Sequence, residues 1–173
     1  MSALLSRIRI SRKLELLTLL GTLAVLVVMA TQLASIRSTL MAEKEAATRG
    51  LVESAVSLVE HYHARAQRGE MSEQAARAGA IAAIKALRFG DDDYFWINDR
   101  HPRMVMHPFR PELDGSDLSD YADPNGVLLF VEMVARVEAD GGGFVHYAWP
   151  RPGEERPVPK ISYVQEFAPW GWI

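Results

Sequence analysis

Tyr94 to His107 reads YFWINDRHPRMVMH. Tyr94-Phe95-Trp96-Ile97 is aromatic and ends on a β-branched residue, the composition that suits a pleated, half-buried strand. Asn98-Asp99-Arg100-His101-Pro102 is a run of turn formers, and Arg103 to His107 (RMVMH) supplies a second short apolar run. Two strands joined by so short a turn pair antiparallel, so this stretch predicts a hairpin and an antiparallel sheet.

The sheet continues C-terminally. Phe144 to Trp149 reads as a strand, Pro150 to Pro159 as a Pro/Gly-rich connection, and Lys160 to Phe167 as the returning strand. Pro169-Trp170-Gly171 turns again, and Trp172-Ile173 reads as the start of another strand. Between hairpin and strands, residues 108–122 form a Pro/Asp/Gly-rich loop. Asp123-Pro124 then predicts a helix start, with Asp as N-cap and Pro at the first helical position. Phe130, Val131, Val134 and Val137 give that helix an apolar face, and Gly141-Gly142-Gly143 ends it.

N-terminal to the hairpin the period changes to that of a helix. Ser72 predicts the N-cap of an Ala-rich helix running to about Leu87, with Glu73 in its first turn. Before it, Leu40, Lys44, Ala47, Leu51, Ala55, Leu58 and Tyr62 recur at spacings of three and four, widened by Val52, Val56 and Val59. This stripe of a long helix, closed by Gly69, suits either the domain's own sheet or a second copy of the chain, so a homodimer through this helix is one of two open expectations. The order is a long helix, a helix, two strands, a helix and two to three strands. That is an α+β fold, an antiparallel sheet with helices on one side.

Further upstream, Leu16 to Ala34 reads LLTLLGTLAVLVVMATQLA without a charge. At a rise of about 1.5 Å per residue it reaches roughly 28 Å, close to the hydrocarbon thickness of a bilayer. Arg7, Arg9, Arg12 and Lys13 precede it, which predicts a cytoplasmic N-terminus and export of the remainder of the chain. A cleaved signal peptide shares these features, but no small-x-small site follows Met29 and the run is long for a signal core. The expected organisation is a cytoplasmic basic N-terminus over residues 1–13, a transmembrane helix over 14–35 and an extracytoplasmic domain over 36–173.

After residue 35 the chain carries 15 basic and 21 acidic residues, and an acidic body argues against nucleic acid as a partner. There is no cysteine, which excludes disulfides, thiolate metal sites and cysteine nucleophiles. Asp91-Asp92-Asp93 points in different directions along a turn and reads as solvated. Asp114, Asp117, Asp120 and Asp123 lack the glycine and bidentate Glu of a calcium loop and read as turns and a cap. No metal and no cofactor is expected.

Seven segments in this order carry a family resemblance: YFWIND (94–99), MVMHP (104–108), LDGSDLSDYADPNG (113–126), LF-E (129–132), GFVHYAWPRPG (143–153), PVPKISYV (157–164) and PWGW (169–172). Together they closely resemble the single Cache domain, type 2, the sensor of bacterial methyl-accepting chemotaxis proteins, over about residues 36–173. The resemblance implies a PAS-like antiparallel sheet behind a long N-terminal helix. It also implies a non-enzymatic pocket for a small organic acid such as acetate, pyruvate, propionate or lactate, and a periplasmic domain anchored in the inner membrane. In that family the last strand continues into a second membrane helix and an output domain. The present sequence stops at Ile173, so the expectation is the sensing part alone, ending within its last strand. A membrane histidine kinase or nucleotide cyclase can use the same sensor. A distant alternative is an extracytoplasmic hydrolase using His107 with an acid of the 112–123 loop, although it lacks a nucleophile and a metal constellation.

A small carboxylate needs one or two cations or strong donors in a mostly apolar cavity. Lys160 lies among apolar residues in a strand, where its charge is costly without an anion, and is the first candidate anchor. His107 ends a strand and could donate to a ligand oxygen, tightening binding at mildly acidic pH if its ring gains a proton. Tyr147 and Trp149 share one face of their strand, as Tyr94 and Trp96 do of theirs, and the resemblance implies pocket walls. Tyr163 is a further candidate, but it lies three residues from Lys160, which in a regular strand puts the two on opposite faces.

Overall fold

A computed structural model describes residues 9–90 and 93–173. Arg7 of the basic start and Asp91-Asp92 of the acidic turn lie outside the described residues. The chain forms two units, Met1–Glu45 and Ala46–Ile173.

The first unit is helical. Helix α1 (Ile10–Gln67) begins in it, and its best 18-residue window has a mean hydropathy of 2.2 with none of it buried. It is long and apolar enough to cross a membrane by length and composition. The hydroxyls of Thr18, Thr22 and Thr31 each donate to a backbone carbonyl one turn earlier at 2.9 Å, so these polar groups make no demand on an apolar surrounding.

In the second unit, the C-terminal part of α1 buries Ala55 and Val59 against α2 (Glu73–Ala86) and the chain's last residues. Leu58 and Tyr62 of the expected stripe join this first core, whereas Leu51 stays exposed. Ser72 caps α2 as expected, its Oγ accepting from Ala75 N at 3.1 Å. Gly79 lets the two helices approach, since a Cβ there would stand 2.6 Å from Tyr62 Cε1.

The expected hairpin forms, but its first arm is broken. Strand β1 (Arg88–Phe89) pairs with β2 (Asp93–Tyr94), and β3 (Ile97–Asn98) pairs with β4 (Met104–Met106), all antiparallel. The chain leaves strand geometry at Phe95 and Trp96 because these rings are drawn to different cores. Asp99 closes the turn, Oδ1 accepting from His101 N and Arg103 N at 2.8 Å each. Trp172 bridges to Asp99, and Ile173 exchanges backbone hydrogen bonds with Asn98 at 2.7 and 3.0 Å, so the last residues extend this sheet.

Helix α3 spans Leu129–Asp140, which corrects the start expected at Asp123-Pro124. The Asp123 carboxylate is occupied otherwise: Oδ1 accepts from Asn125 N at 2.8 Å and Val127 N at 3.0 Å, and Oδ2 from Ala148 N at 2.7 Å. Three amides from a turn and a strand outcompete one helix end. Gly141 ends α3 in the left-handed conformation, φ 73°, while Gly142 and Gly143 already belong to the next strand.

Strands β5 (Gly142–Pro150) and β6 (Pro157–Gln165) pair along their whole length. The face bearing Val145, Tyr147, Trp149 and Val164 packs on α3 through Phe130, Met133 and Val137, forming a second core with Met104 and Leu118. On the other face the Arg49 guanidinium of α1 lies 5.2 Å from the Tyr163 ring. The helices therefore flank both faces of this strand pair, not one as expected.

Met133 is 0% exposed at the centre of the second core. Met133→Ala should cost about 2–5 kcal/mol in urea denaturation, whereas Val131→Ala, on the outer face of the same helix, should stay within about 0.5 kcal/mol.

Candidate functional site

The register of β5 and β6 sets the site. Tyr147 stands opposite Lys160, Val145 opposite Ser162 and Trp149 opposite Val158, so all six share one face. The Tyr147 hydroxyl and Ser162 Oγ are 2.8 Å apart. Lys160 is 19% exposed at its side chain. Its Nζ lies 5.1 Å from the Tyr94 ring centroid and 3.9 Å from Asp93 Oδ1. Burial lowers the Lys160 pKa, against the opposing pull of Asp93. Burial likewise raises the phenol of Tyr147 and pushes that of Tyr94 up to about 12. Both hydroxyls are therefore neutral donors at physiological pH.

His107, 2% exposed, follows β4. Its Nδ1 accepts from Phe109 N at 3.2 Å and Arg110 N at 3.0 Å, which leaves the ring proton on Nε2. Its own N–H donates to Asp114 Oδ1 at 2.7 Å. Burial, with the nearby Arg110 charge second, lowers its pKa to about 4. With the cleft empty, His107 is thus a neutral, fixed donor whose ring burial keeps from charging in mild acid. The Asp114 carboxylate meets its backbone and not its ring, so the pair does not form the dyad of the hydrolase alternative.

Arg110 was not anticipated. Its guanidinium sits 5.2 Å from the Trp149 ring centroid and donates to Tyr121 Oη at 3.1 Å and Glu112 Oε1 at 3.0 Å. The only signal in the sequence is a cation three residues after His107 in the loop the motif opens. A cleft of ≈ 400 Å³ is lined by Tyr94, His107, Phe109, Arg110, Glu112 and Trp149, with residues 150–155 along its edge. That volume exceeds the need of a C2–C4 acid and suits a small ligand with water.

Of the anticipated residues, Tyr94, His107 and Trp149 line the cleft, and Tyr147 and Lys160 adjoin it through the face they share with Trp149 and through Tyr94. Trp96 is not among the residues that line the cleft: the break after Tyr94 turns it against the second core, which holds Tyr147 and Trp149, and its Nε1 donates to Asn98 Oδ1 at 3.0 Å. Tyr163 is also set apart, on the opposite face against Phe144 at 5.0 Å, so the regular strand keeps it from Lys160. Three acids of the 114–123 loop accept from backbone amides: Asp117 Oδ1 accepts from Ser119 N at 2.9 Å, as Asp114 and Asp123 accept from the amides given above.

A long helix, antiparallel strand pairs and a cleft between strand face and loop make up a PAS-like Cache sensor fold. The chain belongs to the single Cache domain 2 family, which it matches over residues 40–173. It is 42% identical over 95% of its length to the methyl-accepting chemotaxis protein McpP of Pseudomonas putida. It is 28% identical over 75% of its length to the sensor histidine kinase MctS of Rhizobium johnstonii. The chain spans 30% and 27% of the lengths of these relatives. Among solved structures it resembles a periplasmic sensor domain of a chemotaxis protein, with a TM-score of 0.75 and 58% identity, covering 76% of this chain and 92% of that one. A Cache chemosensory domain solved for carboxylic acid recognition aligns with a TM-score of 0.75 and 45% identity, over 78% of this chain and 92% of that one.

The His107 shift has a sign that can be measured. Its pKa is about 4 folded against an ordinary 6.5, so between these values the unfolded chain binds more protons. Stability is then present above about pH 6.5 and is lost as pH falls toward 4. On moving from about pH 7 to about pH 5, the wild type should lose more unfolding free energy in urea than His107→Gln.

Proposed function

We propose that this chain is the sensing part of a chemoreceptor, binding a small carboxylic acid outside the cytoplasm. The observation that carries the reading is Lys160. It is a mostly buried cation on the core-facing side of a strand pair, and among the described residues no hydrogen-bond acceptor meets its ammonium. In this reading the ligand carboxylate is received by Lys160, with the Nε2–H of His107 and the hydroxyl of Tyr94 as neutral donors and Arg110 as a second cation at the cleft. Trp149 and Tyr147 form the wall that limits ligand size. The carboxylic acid recognised by a Cache domain 45% identical to this chain supports the ligand class. Acetate, pyruvate, propionate and lactate are the candidates. The pocket is for binding and not for turnover.

The apolar run in α1 and the basic residues before it support an inner-membrane anchor over residues 14–35, a cytoplasmic start over 1–13 and a periplasmic domain over 36–173. Leu51 of α1 is exposed and offers part of a homodimer surface. The histidine kinase relative supports a second reading of the output, in which the same sensor drives a kinase. Both outputs place the same demand on the pocket.

A ligand that binds only the folded chain raises its melting temperature by mass action, by about 2.7 kcal/mol of stability at a hundred times Kd. At least one of the four acids should raise the melting temperature of the purified chain, and Lys160→Met should abolish most of the shift. No shift with any of them, in folded protein, contradicts the sensor reading and favours a ligand-free structural anchor.

A further inference from the structure

Lys160 already faces one carboxylate, and the terms of that contact are unequal. The Asp93 Oδ1 to Lys160 Nζ distance of 3.9 Å is an ion-pair distance and not a hydrogen bond. The lysine side chain is 19% exposed, whereas that of Asp93 is 59% exposed. If the two separate, Asp93 regains water at little cost, but the ammonium stays desolvated. Burial prevails over the pull of Asp93 at Lys160, so the cation is under-compensated. The hydroxyl of Tyr147, which stands across the strands from Lys160, is engaged with Ser162. Asp93 belongs to a strand of two residues whose ladder partner among the described residues is β1 alone, and its side chain is mostly exposed, so it is lightly held.

We propose that Asp93 is an internal competitor at the ligand site: its carboxylate neutralises Lys160 when the pocket is empty, and the carboxylate of the ligand displaces it into solvent. The inference rests on the carboxylate reading of Lys160 and adds a residue that sets affinity without touching the bound acid. Ligand and Asp93 are chemically alike, so each satisfies the lysine in turn. The empty pocket thereby avoids a bare buried charge, and the apparent affinity is reduced by the fraction of molecules in which Asp93 holds the lysine. A partly exposed ion pair is worth about 0.2–1 kcal/mol, so removing the competitor should tighten binding about two- to fivefold.

The test is calorimetric titration of propionate into the full chain in detergent, for wild type, Asp93→Asn and Asp93→Ser. Both variants remove the charge at an exposed side chain, and both should bind about two- to fivefold more tightly. A Lys160→Met background separates competition from a general gain in positive potential. There, adding Asp93→Asn should leave the weak residual affinity, followed by NMR shifts, unmoved. Equal or weaker binding by the Asp93 variants overturns the inference while leaving the sensor reading intact. A gain of equal size in the Lys160→Met background overturns it as well. Absence of binding in every chain overturns the carboxylate reading and this inference with it.

Discussion

The cross-strand register of β5 and β6 places a lysine on the side of a sheet that builds a core. Along this pair the side chains alternate strictly. One face therefore receives Val145, Tyr147, Trp149 and Val164, which bury against α3, and the same alternation delivers Lys160 and Ser162 to that face. A charge at such a position is destabilising unless an anion meets it. The rest of the site can be read as the answer to that demand: a cleft beside the lysine, an aromatic face over it and a weakly held aspartate near it.

The second half of the site comes from a loop, and its rigidity comes from hydrogen-bond saturation. His107 has both its backbone N–H and its Nδ1 engaged, by Asp114 and by two amides, which leaves the Nε2 proton as the ring's donor. Asp123 ties the turn before α3 to Ala148, the residue between Tyr147 and Trp149 in β5. Burial would raise the pKa of this carboxyl, but the amides of Val127, Ala148 and Asn125 outweigh it and hold the group ionised. Loop and strand are thus joined through buried carboxylate-to-amide contacts.

Much of this was legible in the residue order. The hairpin around Asp99 follows from turn formers between two short apolar runs, and the helix after Ser72 follows from its cap, because these signals act within a few residues of themselves. Lys160 was legible as an anomaly of charge within a strand, and the three-residue spacing to Tyr163 already put the two on opposite faces. What was not legible depends on partners distant in sequence. Asp123 fits a helix N-cap as well as a turn staple, and only the nearness of Ala148 N, 25 residues on, decides between them. Trp96 matched Tyr94 by alternation until two cores drew the aromatic run apart. Arg110 sits in a loop whose path over Trp149 no local pattern reveals. The family resemblance supplied what spacing could not, namely that these strands belong to a sensor fold.

The central claim is that Lys160 receives the carboxylate of a small acid. A crystal structure of the chain grown with propionate tests it directly. The account predicts propionate with its carboxylate about 2.7–3.2 Å from Lys160 Nζ and its methyl group against Trp149 or Tyr147. Propionate bound elsewhere, with Lys160 still facing only Asp93, would contradict it.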